Sequence, residues 1–302
     1  MPSSDAMPSF DAMPSSDFPP PGSMPSLDAP LDAAARDRLA EWFGALCVAA
    51  GAVVMDVYRN GGEARVKDDR SPVTEADERA EALILARLAQ ALPGWPVLAE
   101  EAAARGDGIA ACARFILVDP LDGTREFLNR NGEFTVNIAL VADGVPVAGA
   151  VYAPVLERLW TGGSTARVRR VAPGADLATA SEDRPLRTRP APATGWTALA
   201  SRSHGDAETE ALLARLPIGE RRAAGSSLKF CVVAEGEADV YPRFGPTMEW
   251  DTAAGEAVLR AAGGIVLQPD GRPFRYGKDA SRYRNGPFVA WGDPTAATRA
   301  TA

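Results

Sequence analysis

Asp119-Pro120-Leu121-Asp122-Gly123-Thr124-Arg125-Glu126-Phe127 is the most informative stretch of this chain. Two carboxylates three positions apart follow the apolar run 115–118 and lead straight into Gly123-Thr124. A strand that ends in paired acids and breaks at Pro120 points hard oxygen ligands into a crevice, and such ligands suit Mg²⁺ rather than a soft metal. The Gly-Thr step offers free backbone N–H groups on which a phosphate can sit beside that metal. Taken alone, the motif reads more readily as a surface turn with two solvated aspartates. The rest of the chain decides.

Composition narrows the choice. With 302 residues, 46% of them hydrophobic, the chain can bury a sizeable core in one large domain or two smaller ones. No stretch is expected to reach the length of a membrane span. Three cysteines, Cys47, Cys112 and Cys231, are too few and too scattered for a disulfide framework or a zinc site, so a reducing, cytoplasmic setting fits best. A single histidine, His204, excludes a His-cluster metal site and speaks against a Ser-His-Asp hydrolase. The sequence has no P-loop, no G-x-S-x-G elbow and no G-x-G-x-x-G. A net charge of −8 argues against a nucleic-acid polymer as partner. Four of the acids, Asp5, Asp11, Asp17 and Asp28, fall in the first thirty residues, which contain no base, so the folded body is only mildly acidic.

Those thirty residues repeat a Met-Pro-Ser-x-Asp unit four times and read as a disordered tail, with neither a secretory signal nor evidence of tethering. Attachment of the tail at the periphery of the inner membrane stays open. From there the pattern predicts an N-terminal α+β half over 31–165 and a C-terminal α/β half over 190–302. The stripe Leu39, Trp42, Phe43, Leu46, Ala50, Val53, Val57 predicts a core helix over 32–59. A polar loop over 60–72 leads to a helix over 75–92. Strands follow over 96–99, 114–119, 133–141 and 145–153, with Asp143-Gly144 as a hairpin signal between the last two. Residues 162–195 read as connecting loops. The second half alternates strands at 197–201, 238–241, 265–268 and 288–291 with helices at 206–216, 226–236 and 252–262.

Other acids stand at element ends. Glu100-Glu101 follows an apolar run, and helix-start acids favoured by the dipole are the rival reading. Thr74 and Asp77 have capping-box spacing. Asp251 opens a helix, where an N-cap is the commoner explanation, but Ala253-Ala254-Gly255 gives that helix a start slim enough for close approach. Gly225-Ser226-Ser227-Leu228-Lys229 begins a helix as an anion site would.

Together, segments 71–77, 100–101, 119–124 and 250–255 resemble, in order and spacing, the signature regions of the inositol monophosphatase superfamily of metal-dependent phosphatases, over about residues 35–295. Segments 130–137, 200–204 and 246–251 are similar to its bacterial 3′(2′),5′-bisphosphate nucleotidase branch. The resemblance implies a layered α-β-α-β-α sandwich with its site between the halves. It implies removal of the 3′-phosphate from 3′-phosphoadenosine 5′-phosphate, a small phosphorylated nucleotide, by activated water without a covalent intermediate. It further implies two or three Mg²⁺ ions: Glu100, Asp119, Asp122, Asp251 and the carbonyl of Leu121 as ligands of two, with Asp77 recruiting a third or its water shell. Gly123 and Thr124 would cradle the scissile phosphate; Glu100 or Thr124 would orient or deprotonate the water. Ser201, His204, Ser226 and Lys229, beside Asp251, would contact the nucleotide or its phosphates. Inositol monophosphatase or fructose 1,6-bisphosphatase activity is the nearest alternative, and a non-catalytic nucleotide sensor the rival of another class. One departure from the family pattern is Glu256, where His or Gln is expected. Facing inward, it would change metal number or nucleotide preference.

Overall fold

The helical stripe becomes α1 (Ala33–Asn60), capped at its start by Asp32, whose carboxylate accepts the Ala35 N–H at 2.7 Å. The structure, a computed structural model, describes residues 24–62, 64–66, 72–200, 207–278 and 281–301. Ser201 and His204, and the first twenty-three residues of the expected tail, lie outside the described residues. Residues 27 and 29 are held in place, their carbonyls accepting from Arg114 Nη1 at 2.5 and 2.6 Å.

Where a polar loop was expected, β1 (Ala64–Val66) and β2 (Pro72–Thr74) pair antiparallel and deliver α2 (Glu75–Ala91). Then come β3 (Val97–Ala99), α3 (Glu100–Ala104), β4 (Arg114–Asp122) and α4 (Thr124–Leu128). A run of antiparallel strands follows: β5 (Thr135–Ala142), β6 (Val145–Ala153), β7 (Arg158–Gly162), β8 (Ala166–Arg170) and β9 (Glu182–Pro185). The second half holds β10 (Trp196–Ala200), α5 (Ala207–Leu213), β11 (Ile218–Ala223), α6 (Leu228–Ala234) and β12 (Val240–Arg243). It ends with β13 (Thr247–Met248), α7 (Trp250–Ala261), β14 (Ile265–Leu267), β15 (Arg284–Asn285), β16 (Phe288–Trp291) and α8 (Pro294–Thr301).

Strands β3 to β9 form one seven-stranded sheet in sequence order, antiparallel except for the parallel β3–β4 pair. A five-stranded sheet runs β11-β10-β12-β16-β14. Helices α1 and α2 cover one face of the large sheet; α6 and α7 fill the space between the two sheets; α5 and α8 cover the outer face of the small one. The expected α-β-α-β-α sandwich is the observed one. Close packing of the middle helices, on the large sheet and on each other, depends on missing side chains: a Cβ at Gly162 would lie 2.5 Å from Val258 Cα, and one at Gly255 2.5 Å from the Phe230 ring. The small-residue start of α7 thus serves the packing read from it.

Three expectations need correction. Residues 162–195 are not merely loops but include β8 and β9, and β11 was missed altogether. All three are charged: Arg167 and Arg169 pair with Asp183 across β8–β9, and Glu220, Arg221 and Arg222 of β11 are exposed. Charges on strands at or near a sheet edge discourage pairing with other chains, and they also erase the apolar alternation that marks a strand. Second, β4 does not break at Pro120. It continues to Asp122 through an irregularity in which Asp119 faces Asn137 and Asp122 faces Thr135, which is how a strand accommodates proline. Third, α1 is long and apolar enough to cross a membrane, against the expectation that no stretch is. Yet 72% of its apolar window is buried inside the fold, so it is a core helix. No feature of the described residues supports peripheral membrane attachment.

Candidate active site

Glu100 enters from the start of α3, Asp119 and Asp122 from the end of β4, and Asp251 from the first turn of α7. Their charges act on one another. Asp119, 1% exposed, is held well above the usual carboxylate range by burial, and further by the charges of Glu100, Asp122 and Asp251. Asp251 is raised likewise, by burial and then by Asp122 and Glu100, although the Met248 N–H reaches its Oδ2 at 2.8 Å. No salt bridge to lysine or arginine reaches Asp119, Asp122 or Asp251 among the described residues, and Arg243 offsets the charge on Asp251 only in small part. Buried like charges without a directly paired cation are costly. These all-oxygen donors therefore fit a hard divalent ion such as Mg²⁺, even though, among the described residues, they do not close into a metal cage by themselves.

Asp122 crosses between the halves. Its Oδ2 accepts the Ser226 hydroxyl and the Ser227 N–H, both at 2.6 Å, and lies 2.8 Å from Ser227 Oγ. The left-handed backbone at Ser226 (φ 52°) gathers these donors on one oxygen. Gly123 is also left-handed (φ 98°), and a Cβ there would meet the Glu133 carbonyl at 3.2 Å. It turns the chain into α4, which begins at Thr124. The Thr124 hydroxyl lies 3.4 Å from both Leu121 O and Asp77 Oδ1.

The capping reading of Asp77 is the one observed. Its Oδ2 completes the capping box, accepting Thr74 N–H at 2.8 Å and Thr74 Oγ1–H at 2.7 Å, while Oδ1 faces Thr124. Asp251 is not the N-cap of α7; Glu249 occupies that position without a side-chain cap bond. Glu249 is instead fully buried, accepting the N–H groups of Gly277 and Lys278 and pairing with Lys278 Nζ at 2.8 Å.

One cleft is lined by Asp122, Gly123, Ser226, Lys229, Arg243 and Asp251, with Arg125 at its side. Lys229 is 5% exposed, and burial brings its ammonium down to about 8. Two of its protons go to the carbonyls of Ala224 (3.1 Å) and Ser226 (2.7 Å). Arg243 was missed in the sequence. It ends β12 in no recognisable motif, and only folding sets it beside the start of α6. Its Nε is buried without a hydrogen-bond partner. Glu256 is buried too, but it faces Tyr276, whose hydroxyl donates to its Oε2 at 2.8 Å, and Arg260 at 3.6 Å; it adds nothing to the acids of the crevice.

The geometry has matching relatives. The 3′(2′),5′-bisphosphate nucleotidase CysQ of Shigella flexneri is 43% identical over 229 residues, 75% of this chain and 89% of that protein. The CysQ of Escherichia coli K12 matches to the same extent. The crystal structure of CysQ from Bacteroides thetaiotaomicron, described as a bacterial member of the inositol monophosphatase family, superposes with a TM-score of 0.67 at 38% identity, over 84% of this chain and 96% of that one. An inositol monophosphatase of Thermotoga maritima shares the fold at 21% identity, with a TM-score of 0.68 over 88% of this chain and 96% of that one. A sequence model of the inositol monophosphatase family matches residues 36–298, nearly everything beyond the repeats, and this chain belongs to that family.

Proposed function

We propose that this chain is a Mg²⁺-dependent 3′(2′),5′-bisphosphate nucleotidase that converts 3′-phosphoadenosine 5′-phosphate to AMP and phosphate, a reaction of sulfur assimilation. The kinship to CysQ nucleotidases supports it. The observation that carries it is the placing of two cations, Lys229 and Arg243, in the cleft that holds Asp122 and Asp251. One phosphate at the acids needs no such pair. A second phosphate on the same substrate does, and the buried, unpartnered Nε of Arg243 is a donor waiting for an acceptor.

In this reading Glu100, Asp119, Asp122, Asp251 and the Leu121 carbonyl hold two Mg²⁺ ions. Bound there, Mg²⁺ supplies Lewis acidity to the phosphoryl group and offsets the charge of the acids that would otherwise repel it. The N–H groups of Gly123 and Thr124 receive the scissile phosphate. Glu100 and the Thr124 hydroxyl orient the attacking water, and the proton of that hydroxyl faces Asp77 Oδ1. Since Oδ2 of Asp77 is taken up by the capping box, we assign Asp77 to Thr124 rather than to a third ion. Lys229, with Ser226, and Arg243 hold the remote phosphate of the nucleotide. The three cysteines are free thiols, in keeping with a cytoplasmic enzyme.

Phosphate release from 3′-phosphoadenosine 5′-phosphate, inositol 1-phosphate and fructose 1,6-bisphosphate, with Mg²⁺ and with EDTA, tests the proposal. Turnover of the adenosine bisphosphate should dominate and vanish in EDTA; preference for inositol 1-phosphate would refute the nucleotide reading. Arg243→Ala should raise KM for the adenosine bisphosphate about 10- to 100-fold, the value of one charge-assisted contact, and leave KM for inositol 1-phosphate nearly unchanged. Equal effects on both substrates would remove Arg243 from the phosphate site.

A further inference from the structure

Every hydrogen bond that Asp122 makes among the described residues falls on Oδ2. Oδ1 is the oxygen left over. Ser227, 2% exposed, is central to that division. Its Oγ accepts from Asn137 Nδ2 of β5 at 3.0 Å, and its single hydroxyl hydrogen has two acceptors, Asp122 Oδ2 and the backbone carbonyl of Asp251, each at 2.8 Å. One buried hydroxyl therefore touches both acid-bearing segments, the end of β4 and the first turn of α7. Ser226 differs: its hydroxyl also bonds Asp122, but the other partner of that hydroxyl is Thr135 Oγ1 at 2.6 Å, and among the described residues it makes no bond to α7. A hydroxyl needed only for packing would be satisfied by one acceptor.

We propose that Ser227 is a positioning residue of the cation site, holding Asp122 against the start of α7 so that only Oδ1 turns to the crevice. The inference rests on the reading of Asp122 and Asp251 as cation ligands. A ligating carboxylate whose other oxygen is already hydrogen-bonded is oriented before the cation arrives, and losing such a partner typically weakens metal binding about 10- to 100-fold. Ser227 does not itself line the cleft but stands behind two residues that do, Asp122 and Asp251, so its loss acts through the acids and not through the nucleotide.

The full-length protein, stripped of metal, is titrated with Mn²⁺ in the absence of nucleotide, and free Mn²⁺ is read by electron paramagnetic resonance. Ser227→Ala and the near-isosteric Ser227→Cys should both weaken Mn²⁺ binding about 10- to 100-fold, while the melting temperature of the metal-free protein stays close to wild type. Unchanged Mn²⁺ affinity in these variants overturns the proposal, whether or not the metal-free melting temperature falls, because a purely structural hydroxyl behaves in that way. Should the alanine variant not fold, the cysteine variant decides alone; a thiol fills the same space, donates weakly and is a poor ligand for Mn²⁺. Since no substrate is present, a wild-type protein inactive on nucleotides would sink the proposed function and leave this result standing.

Discussion

Asp122→Asn should lower kcat/KM for 3′-phosphoadenosine 5′-phosphate by at least about 10³-fold, which is the several kcal/mol that a bound cation contributes to the barrier. The substitution keeps the shape and removes the charge, but its larger effect comes from geometry. Oδ2 receives three close donors, the two serine hydroxyls and the Ser227 N–H. An amide can satisfy them only by turning its oxygen to them, which points its NH₂ at the place kept for a cation. The opposite rotamer sets NH₂ against NH and OH. Neither orientation leaves an acceptor on both sides. Phosphate release at saturating Mg²⁺, together with a thermal melt showing the variant folded, is the measurement. Retention of more than about a tenth of the activity would remove Asp122 from the cation site.

The second large effect concerns stability. Burial pushes Glu256 up to about 7 from its ordinary 4.5, against the help of the Tyr276 hydroxyl and Arg260. An acid raised on folding binds more protons in the folded chain than in the unfolded one between those two values. Its effect on stability is therefore nil below about pH 4.5, grows unfavourable as pH rises through the window, and is complete above about pH 7. Two and a half units correspond to about 3 kcal/mol. Glu256→Gln retains an acceptor for Tyr276 and removes the buried charge. Above pH 7 it should raise Tm by about 5–10 °C, and the gain should shrink towards zero at pH 4.5. Melting curves of both proteins at four or five pH values decide it. A gain independent of pH would mean that the glutamate's charge is not the cause. Because Glu256 faces Tyr276 and lies away from the acids of the crevice, turnover at pH 7 should change little.

Much of the candidate site could be read in the sequence because its acids stand where elements end. Asp119 and Asp122 close an apolar strand, Glu100 follows one, and Asp251 opens a helix of small residues. Such positions keep their meaning whatever the distant chain does. Ser227 and Arg243 have no such local mark. Two adjacent serines cannot reveal which hydroxyl turns inward until the left-handed backbone at Ser226 sets their directions, and Arg243 joins the cleft through strand pairing with residues nearly fifty positions away. The apolar strands were legible for the same reason that β8, β9 and β11 were not. Burial in the middle of the large sheet writes an apolar pattern, and charged strands at or beside a sheet edge write none. Asp77 carries a different lesson, since one oxygen completes the capping box while the other faces Thr124, so evidence for a cap was never evidence against a second contact.

The burial of α1 also sets a timetable for synthesis. Its apolar face is covered largely by β5, β6 and β7, and the last residue of β6 follows the last of α1 by 93 positions. At about 5–20 residues per second, the ribosome makes that partner strand roughly 5–20 s later. Until then a helix with the length and composition of a membrane span lacks the strands that cover it in the fold, and of its main partners only α2 has been made. A chain halted before residue 153 therefore lacks the strand that contributes most to covering this face, and uncovered apolar surface of that kind is what makes incomplete chains prone to aggregate.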